Sequence, residues 1–236
     1  MLPLKDDVPS QSIPFVTVTI ITLNVVVFLY QLSLQIGGDA AAAQAGEQFV
    51  REFGAVPCRL TGTCLTDDFP PPMITIFTSM FLHGGLFHIG GNMLYLWIFG
   101  NNVEDTLGHF RFLGFYLLAG LAAALAQTLV GPRSEVPMIG ASGAISGVLG
   151  AYLLLFPYAT VLTLITFGFF IRFVHVPAII VLGFWVVVQF LNGLLAYGGL
   201  MRHGAGGGVA WFAHIGGFLA GLALVFLLRP RRPVRL

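Results

Sequence analysis

Apolar residues occur in long stretches along this chain, and short clusters of charged residues separate the stretches. Six of the stretches can each hold a helix of about 20 residues, the length that crosses a bilayer. The predicted spans lie at residues 15–34, 77–99, 112–130, 139–156, 177–196 and 209–228. The pattern therefore predicts an all-α membrane protein, built as a bundle of six transmembrane helices.

Two connecting segments differ from the short links between the other spans. Residues 35–76 form a long predicted external loop with several prolines and both cysteines, and loops of this length are often functional. Residues 161–173 are apolar but short, rich in β-branched residues, preceded by Pro157 and interrupted by Gly168. We therefore predict a connection on the membrane surface there and no additional span.

The composition indicates the same class of protein. Hydrophobic residues make up 57% of the chain and charged residues 9%, whereas a soluble domain carries roughly 25% charged residues. The formal net charge is +1, and outside the C-terminal RPRRPVRL no basic stretch suits nucleic acid. The expected partner is therefore the lipid bilayer and not a nucleic acid.

The positively charged residues predict the orientation in the membrane. Four arginines follow the last predicted span, and cytoplasmic segments of membrane proteins carry an excess of Lys and Arg. Six spans place the N-terminus on the same side. We therefore expect a short cytoplasmic tail at residues 1–14, a membrane domain at residues 15–228 and a basic cytoplasmic tail at residues 229–236.

The two cysteines, Cys58 and Cys64, share the long loop and leave two alternatives open. They form a disulfide if the loop faces an oxidising compartment, or they remain free thiols. Two ligands alone are poor grounds for a metal site, and the sequence has no H-E-x-x-H pair. We therefore expect no metal and no other cofactor.

Polar side chains inside membrane spans are costly, so each of them is a candidate for function. His88 and Asn92 lie in the second span, Ser142 at the start of the fourth and His214 near the start of the sixth. These three helices of an alternating bundle cross the membrane in the same direction, so the four residues lie at similar depth. We predict that they meet in the outer half of the membrane. Other polar residues within the spans are Asn24, Gln127, Gln189 and Asn192.

Glycine spacing indicates which helices touch, because small residues four positions apart let helix backbones approach closely. Gly143 and Gly147 form such a pair beside Ser142. Gly217 and Gly221 form another pair just after the histidine of the sixth span. The pattern predicts that the serine and the histidine face each other across a tight seam between the two helices.

A serine, a histidine and a cluster of hydrogen-bond donors are the parts of a minimal acyl-transfer site: a nucleophile, a general base and a stabiliser of the oxyanion. No Asp or Glu lies inside the spans near this layer, so the predicted centre is a Ser-His dyad. Serine in a glycine-rich transmembrane helix also contributes to helix packing, and a histidine in the membrane can simply form a hydrogen bond to a neighbouring helix. The residue types alone leave both interpretations open.

Three motifs, in order, resemble those of the rhomboid intramembrane serine proteases. HGGLFHIGGN at residues 83–92 is similar to their H-x4-H-x3-N motif. GASG at residues 140–143 is similar to their G-x-S-G motif, and AHIGGFLAG at residues 213–221 to their A-H-x2-G-x3-G motif. The resemblance extends over roughly residues 75–228 and implies a six-transmembrane-helix rhomboid-like bundle.

The resemblance implies a catalytic role for each matching residue. Ser142 would be the nucleophile and His214 the general base. His88, Asn92 and the backbone N–H of Ser142 would form the oxyanion hole. No cofactor is implied.

Other positions match structural features of the family or depart from them. His83 matches a mainly structural position, and Glu104 matches an acid at a helix end that stabilises the cytoplasmic side. Ser146 stands where an aromatic residue usually packs on the base, and Leu86 replaces a frequent tryptophan. These departures concern how rigidly His214 is held, and they leave every catalytic group in place.

The sequence thus predicts a serine endopeptidase that hydrolyses peptide bonds in or next to the transmembrane segments of single-pass membrane proteins. The compact core and short tails are typical of a bacterial inner (plasma) membrane protein. One alternative is a non-catalytic rhomboid-like protein that binds membrane proteins for quality control, although such relatives usually lack the serine or the histidine. Another alternative is a transporter with a solute site at the polar cluster.

Overall fold

The computed structural model describes residues 1–64, 70–167, 170–198 and 209–230. The strands are β1 (Leu2–Asp6), β2 (Thr160–Phe167) and β3 (Phe170–Pro177). The helices are α1 (Phe15–Ser33), α2 (Ala40–Phe53), α3 (Pro57–Leu60), α4 (Pro72–Thr78), α5 (Leu86–Tyr95), α6 (Asn101–Leu107), α7 (His109–Val130), α8 (Ser142–Leu155), α9 (Ala178–Tyr197) and α10 (Trp211–Leu228). Residues 231–236 of the predicted basic tail lie outside the described residues.

Four of the described helices, α1, α7, α9 and α10, are long and apolar enough to cross a membrane. Many of their large apolar side chains are exposed, as expected for helices whose solvent is lipid. The molecule is therefore a mostly helical integral membrane protein. The four helices agree within a few residues with the predicted spans at 15–34, 112–130, 177–196 and 209–228.

The second predicted span is a broken helix. α4 continues through a 3-10 turn (Ser79–Phe81), and the chain then bends by 86° before α5 begins. Gly85, with a φ of 155°, lies in the bend, in a backbone region that favours glycine. The prediction of one helix through residues 77–99 is therefore wrong, because the glycines that follow His83 interrupt it. Beyond the bend, α5 runs through a π-helical stretch (Leu96–Gly100) into α6.

The fourth predicted span, at residues 139–156, corresponds to α8, which has 14 residues and begins at Ser142. Residues 139–141 before it are not helical. α8 is buried along most of its length and packs against α7 and α10. By length and apolarity, the described helices provide four spans, or five if the bent pair of α4 and α5–α6 is one span. The predicted count of six is not reached on these criteria.

The glycine pairs bring α8 and α10 into backbone contact. A Cβ added at Gly217 would overlap the carbonyl oxygen of Gly143, and one added at Gly221 would overlap that of Gly147. Any larger residue at either position would push the two helices apart. The predicted contact between the fourth and sixth predicted spans is therefore confirmed.

A three-stranded antiparallel sheet, in the order β1-β2-β3, is the main departure from the predicted fold. Leu2 pairs with Leu164, and Thr160 pairs with Pro177. β2 has the sequence TVLTLITF, whose β-branched residues favour a strand. The sequence predicts a surface connection at residues 161–173 and a tail at residues 1–14. The pairing of β1 with β2 was not predicted because the two segments are far apart in the sequence, and β2 and β3, which are neighbours in the chain, form one apolar stretch without a clear strand pattern.

Acidic side chains fasten the N-terminal segment to the bundle near this sheet. The buried Asp6 carboxylate accepts hydrogen bonds from Tyr152 Oη at 2.6 Å and from Asn102 Nδ2. Asp105 accepts from the backbone N–H groups of Gln11 and Ser12 in the segment before α1. We call the sheet, together with the side chains of Asp6, Glu104 and Asp105, the sheet end of the molecule.

Glu104 is fully buried at the start of α1. Its carboxylate accepts from the backbone N–H groups of Val16 and Thr17 at 2.9 and 2.8 Å, and from Thr17 Oγ1 at 2.7 Å. His109 Nδ1 lies 2.6 Å from the same carboxylate. Because the first N–H groups of a helix lack partners within it, Glu104 completes this terminus. The contacts match the helix-end role that the resemblance implied.

The long loop after α1 contains helical structure. Asp39 is the N-cap of α2, and its carboxylate accepts from the Ala42 N–H at 2.8 Å. Cys58 and Cys64 form a disulfide, with their Cα atoms 5.2 Å apart, which decides between the two alternatives that the sequence left open.

Candidate active site

The turn before α8 places Ser142. Ser142 is the first residue of the helix, so its backbone N–H lies in the first turn and lacks a partner within the helix. Gly140 has a φ of 115°, which favours glycine, and its N–H donates to the carbonyl oxygen of Ser79 at 2.9 Å. The GASG sequence thus ends the irregular approach and starts the helix at the serine.

The long loop holds the approach to this turn in place. Ala55 and Met138 exchange backbone hydrogen bonds of 3.1 and 2.8 Å, and the Cys58 N–H donates to the Ser134 carbonyl oxygen at 3.0 Å. The disulfide closes the loop just beyond these contacts. This support could not be predicted from the sequence, because backbone contacts leave no signal in the pattern of side chains.

Ser142 and His214 are in hydrogen-bond contact. Ser142 Oγ lies 2.8 Å from His214 Nε2, across the seam between α8 and α10. Both residues are partly buried. The structure thus brings together the two side chains that the sequence analysis predicts to be nucleophile and base.

The other ring nitrogen of His214 faces α9. His214 Nδ1 lies 2.8 Å from Gln189 Oε1, and Gln189 is buried. The Trp185 ring, also on α9, lies 6.0 Å from the imidazole, measured between ring centroids. Ser146 does not contact the imidazole by a hydrogen bond, because its hydroxyl donates to the Ser142 carbonyl oxygen at 2.6 Å. Gln189 stands out in the sequence only as a polar residue within a span, without a predicted role.

His88 and Asn92 lie one turn apart on α5, and both approach Gly140. A Cβ built on Gly140 would lie 2.7 Å from His88 Nε2 and 3.5 Å from Asn92 Nδ2. The Gly84 N–H donates to His88 Nδ1 at 3.2 Å, so the proton of the neutral ring is on Nε2. Asn92 Nδ2 is buried and has no partner among the described residues. Two donors therefore converge on the turn before Ser142.

His83 lies in the break before α5 rather than on the helix that carries His88. Its buried ring packs edge-on against the His88 ring, with centroids 5.0 Å apart. Neither ring nitrogen of His83 has a hydrogen-bond partner in the part of the chain that the structure describes. Its backbone N–H donates to Gln31 Oε1 at 2.9 Å, which ties the break to α1. These contacts suit a structural position.

Polar side chains of the site, but not that of His83, line a cavity of about 570 Å³. Besides the four predicted site residues, its walls include Phe87, Gly91 and Tyr95 of α5, and Trp185 and Gln189 of α9. Over the described ranges, no group of three or more His, Cys, Asp or Glu side chains is arranged to hold a metal ion. The arrangement can activate a hydroxyl group and donate hydrogen bonds to a negatively charged oxygen beside it.

The fold defines a helical integral membrane protein, and comparison with known proteins identifies its family. The family model described as the Rhomboid domain matches residues 70–231, which is well over half of the chain. The protein belongs to the rhomboid family. The matched region contains all four predicted site residues.

Curated relatives come from a yeast, a plant and a bacterium. Rhomboid protein 1, mitochondrial, from Saccharomyces cerevisiae is 32% identical over 162 residues, which cover 67% of this chain and 42% of the yeast protein. Rhomboid-like protein 11, chloroplastic, from Arabidopsis thaliana is 31% identical over 162 residues, covering 67% of this chain and 53% of that protein. The Rhomboid protease GluP of Bacillus subtilis is 36% identical over 149 residues, covering 63% and 25%.

The chain therefore spans between a quarter and about half of the length of these relatives. Their names refer to a mitochondrial, a chloroplast and a bacterial protein. The comparisons thus support an integral membrane protein, and they do not support the choice of a bacterial inner membrane made from the sequence.

Proposed function

We propose that this protein is an intramembrane serine endopeptidase, with Ser142 as the nucleophile and His214 as the general base. The observation that carries the proposal is the 2.8 Å contact between Ser142 Oγ and His214 Nε2. A serine hydroxyl is a weak nucleophile unless a base accepts its proton, and a base must lie within hydrogen-bond reach to do so. The similarity to the Rhomboid protease GluP supports the same reaction class.

In the proposed reaction, His214 Nε2 takes the hydroxyl proton as Ser142 Oγ attacks the carbon of a peptide carbonyl. The carbonyl oxygen becomes an oxyanion, which accepts hydrogen bonds from His88 Nε2, Asn92 Nδ2 and the Ser142 backbone N–H. The intermediate collapses as His214 gives the proton to the leaving amine. A water molecule, deprotonated by the same imidazole, then hydrolyses the acyl-enzyme and restores the serine.

The unpaired amide of Asn92 supports its assignment to the oxyanion hole. A buried donor without a partner destabilises a fold by about 1–3 kcal/mol. An oxyanion hole nevertheless requires donors that are oriented before charge develops and are not already bonded to another group. Asn92 Nδ2 meets this requirement, since it is buried, unpaired among the described residues and close to Gly140.

The proposed substrates are single-pass membrane proteins, cut in or next to their membrane segment. The cavity around Ser142 is lined by side chains of α5 and α9, two helices of the membrane domain. The carbonyl groups of an intact substrate helix are already hydrogen-bonded, so the helix must unwind locally before attack. Gly or Pro near the cleaved bond, as poor helix formers, would ease this unwinding.

We also propose six membrane crossings, with α8 as the fourth. β1 precedes α1, β2 follows α8, and the two strands are paired, which supports their lying on one side of the membrane. An even number of crossings would then separate them. α1, the bent pair of α4 and α5–α6, and α7 supply three, so α8 would be the fourth, and α9 and α10 would complete six. The arginines after the last helix support cytoplasmic termini.

Labelling and cleavage by the purified protein in detergent test the proposal. We expect the wild type to react with a fluorophosphonate and to cleave a model single-pass substrate. Ser142→Ala and His214→Ala should each lower cleavage by more than about 10³-fold, because the nucleophile and base act as a unit. Ser146→Ala is the matched control, since its hydroxyl bonds only within α8, and it should keep most of the activity. Full cleavage by Ser142→Ala would end the proposal.

The same experiment discriminates the alternatives. A wild type that binds the model substrate but neither labels nor cleaves it would favour a non-catalytic rhomboid-like binding protein. Solute uptake into proteoliposomes that is unaffected by Ser142→Ala would favour a transporter.

A further inference from the structure

The imidazole of His214 is held from both of its nitrogens by residues on different helices. Nε2 lies 2.8 Å from Ser142 Oγ on α8, and Nδ1 lies 2.8 Å from Gln189 Oε1 on α9. An amide oxygen can only accept a hydrogen bond, so the proton of the neutral ring is on Nδ1. Nε2 then presents a lone pair to the serine hydroxyl.

This tautomer is the one that a general base needs. A neutral imidazole carries one N–H group, and only the nitrogen without it can take a proton from serine. If the proton were on Nε2, the ring would donate to Ser142 Oγ and could not activate it. An acceptor at Nδ1 therefore decides whether the serine and histidine form a reactive pair, as the carboxylate does in a three-residue site.

We infer that Gln189 is a positioning residue that sets the tautomer and orientation of His214. The inference rests on the proposed protease function, and it assigns the third member of the hydrogen-bonded chain from Ser142 through His214. Gln189 acts through the imidazole and does not itself touch the reacting atoms.

The other neighbours of the imidazole do not supply this function. Ser146 donates to a backbone oxygen in its own helix. The ring centroids of Trp185 and Trp211 lie 6.0 and 6.3 Å from that of the imidazole, and these packing contacts do not determine which nitrogen carries the proton. Among the described residues, Gln189 Oε1 is the hydrogen-bond partner of Nδ1.

A neutral amide suits this position better than a carboxylate would. Gln189 is 7% exposed and lies on an apolar helix of the membrane domain. Burying an ionised carboxylate is far more unfavourable than burying an amide. The amide therefore supplies an acceptor for the base without placing a second charge beside it.

Three variants on α9 distinguish a positioning role of Gln189 from a purely structural role. Gln189→Met keeps the length of the side chain and removes the acceptor, while Gln189→Glu keeps an oxygen at the same place. Asn192→Leu is the matched control, because it removes a second amide of α9 that donates only to the Val188 carbonyl oxygen. The measurements are kcat, KM and the thermal unfolding midpoint of each purified protein.

We expect Gln189→Met to lower kcat by about 10- to 100-fold, with KM and the unfolding midpoint close to those of the wild type. Gln189→Glu keeps an acceptor at Nδ1, so it should recover most of the lost kcat, although the buried charge lowers its unfolding midpoint. Asn192→Leu should leave kcat unchanged. Wild-type kcat in Gln189→Met would overturn the inference. A loss of kcat that Gln189→Glu does not recover would also overturn it. So would a loss of kcat in Gln189→Met that is matched by a fall in the unfolding midpoint of that variant.

Nitrogen NMR of the histidine side chains provides a readout that does not depend on turnover. With ¹⁵N-labelled histidine, the signals absent from His214→Ala identify this ring. We expect a protonated Nδ1 in the wild type and a shift toward protonated Nε2 in Gln189→Met. A protonated Nε2 in the wild type, or no change in Gln189→Met, would contradict the inference.

The outcomes distinguish this inference from the proposed function. A wild type that cleaves by a Ser142-dependent reaction, together with full kcat in Gln189→Met, contradicts only the role of Gln189. A wild type with no Ser142-dependent cleavage contradicts the protease itself, and the positioning role along with it.

Discussion

The two ends of α8 use hydrogen bonds in opposite ways. At the end that begins with Ser142, which we call the site end, Asn92 Nδ2 and both ring nitrogens of His83 are buried without a partner among the described residues. At the sheet end, the carboxylates of Asp6 and Glu104 each accept two or more hydrogen bonds. The site end thus keeps donors available, whereas the sheet end uses its polar groups to hold the chain together.

One amide oxygen at the sheet end departs from this contrast. Asn102 Oδ1 is unpaired although it lies at the sheet end, where its Nδ2 donates to Asp6. A satisfied buried group stabilises the fold, and an unsatisfied one destabilises it by about 1–3 kcal/mol. Substitutions at the sheet end should therefore reduce stability. Substitution of the unpaired donor Asn92 at the site end should reduce activity without reducing stability.

The largest expected effect is on stability, in Glu104→Ala. Removal of the buried carboxylate leaves the first N–H groups of α1 without partners. We therefore expect the free energy of unfolding to fall by about 3–5 kcal/mol. Thermal unfolding in detergent measures the loss. Glu47→Ala on the exposed side of α2 is the control and should change little. Equal midpoints for Glu104→Ala and the wild type would remove the basis of the comparison.

The next effect is on activity, in Asn92→Leu. The exchange deletes one proposed oxyanion donor, so we expect kcat to fall by about 10²-fold. The unfolding midpoint should not fall, since an unpaired buried amide is replaced by an apolar group of similar size. Asn24→Leu, a buried amide on α1 far along the chain from the site, is the control for kcat. A large loss of stability in Asn92→Leu would show that this donor has a structural partner.

The smallest effect concerns pH and Asp6. Burial raises the pKa of the Asp6 carboxyl, against the hydrogen bonds from Tyr152 and Asn102, which lower it. The folded state therefore holds this proton more tightly than the unfolded state. The contribution of protonated Asp6 to stability is fully present below the pKa that this group has in the unfolded state. It is lost as the pH rises through the pKa that the group has in the folded state.

Asp6→Asn removes this dependence, because an amide does not titrate. Relative to the variant, the wild type should lose stability as the pH is raised, which unfolding midpoints over a pH series will measure. Tyr152→Phe deletes a hydrogen bond that favours the ionised form, so it should raise the pKa of Asp6 further. A difference between wild type and Asp6→Asn that stays constant with pH would refute this account.

The contacts at the site end could be predicted because polar residues are rare in membrane spans. The positions of Ser142 and His214 at similar depth, together with the glycine pairs on α8 and α10, lead to their contact without any structure. The sequence also indicates that His88 and Asn92 share a face of one helix. Whether these side chains catalyse a reaction stays a prediction.

Features that depend on distant pairing or on helix rotation could not be predicted. The sheet requires residues 2–6 to meet residues 160–167, and neither segment alone distinguishes a strand from an irregular connection. The contact of Gln189 with His214 depends on the rotation of α9, which an apolar sequence with little amphipathic pattern does not reveal. The bend at Gly85 was missed because a single helical period was assumed to continue through the glycines.

The pairing of β1 with β2 also has a consequence for biosynthesis. Leu2 leaves the ribosome long before its partner Leu164, so β1 remains unpaired while the chain from α1 through α8 is made. Contacts between such distant segments form late, because much of the nascent polypeptide has to be ordered first. Closure of the sheet then joins a strand made before α1 to the segment that follows α8.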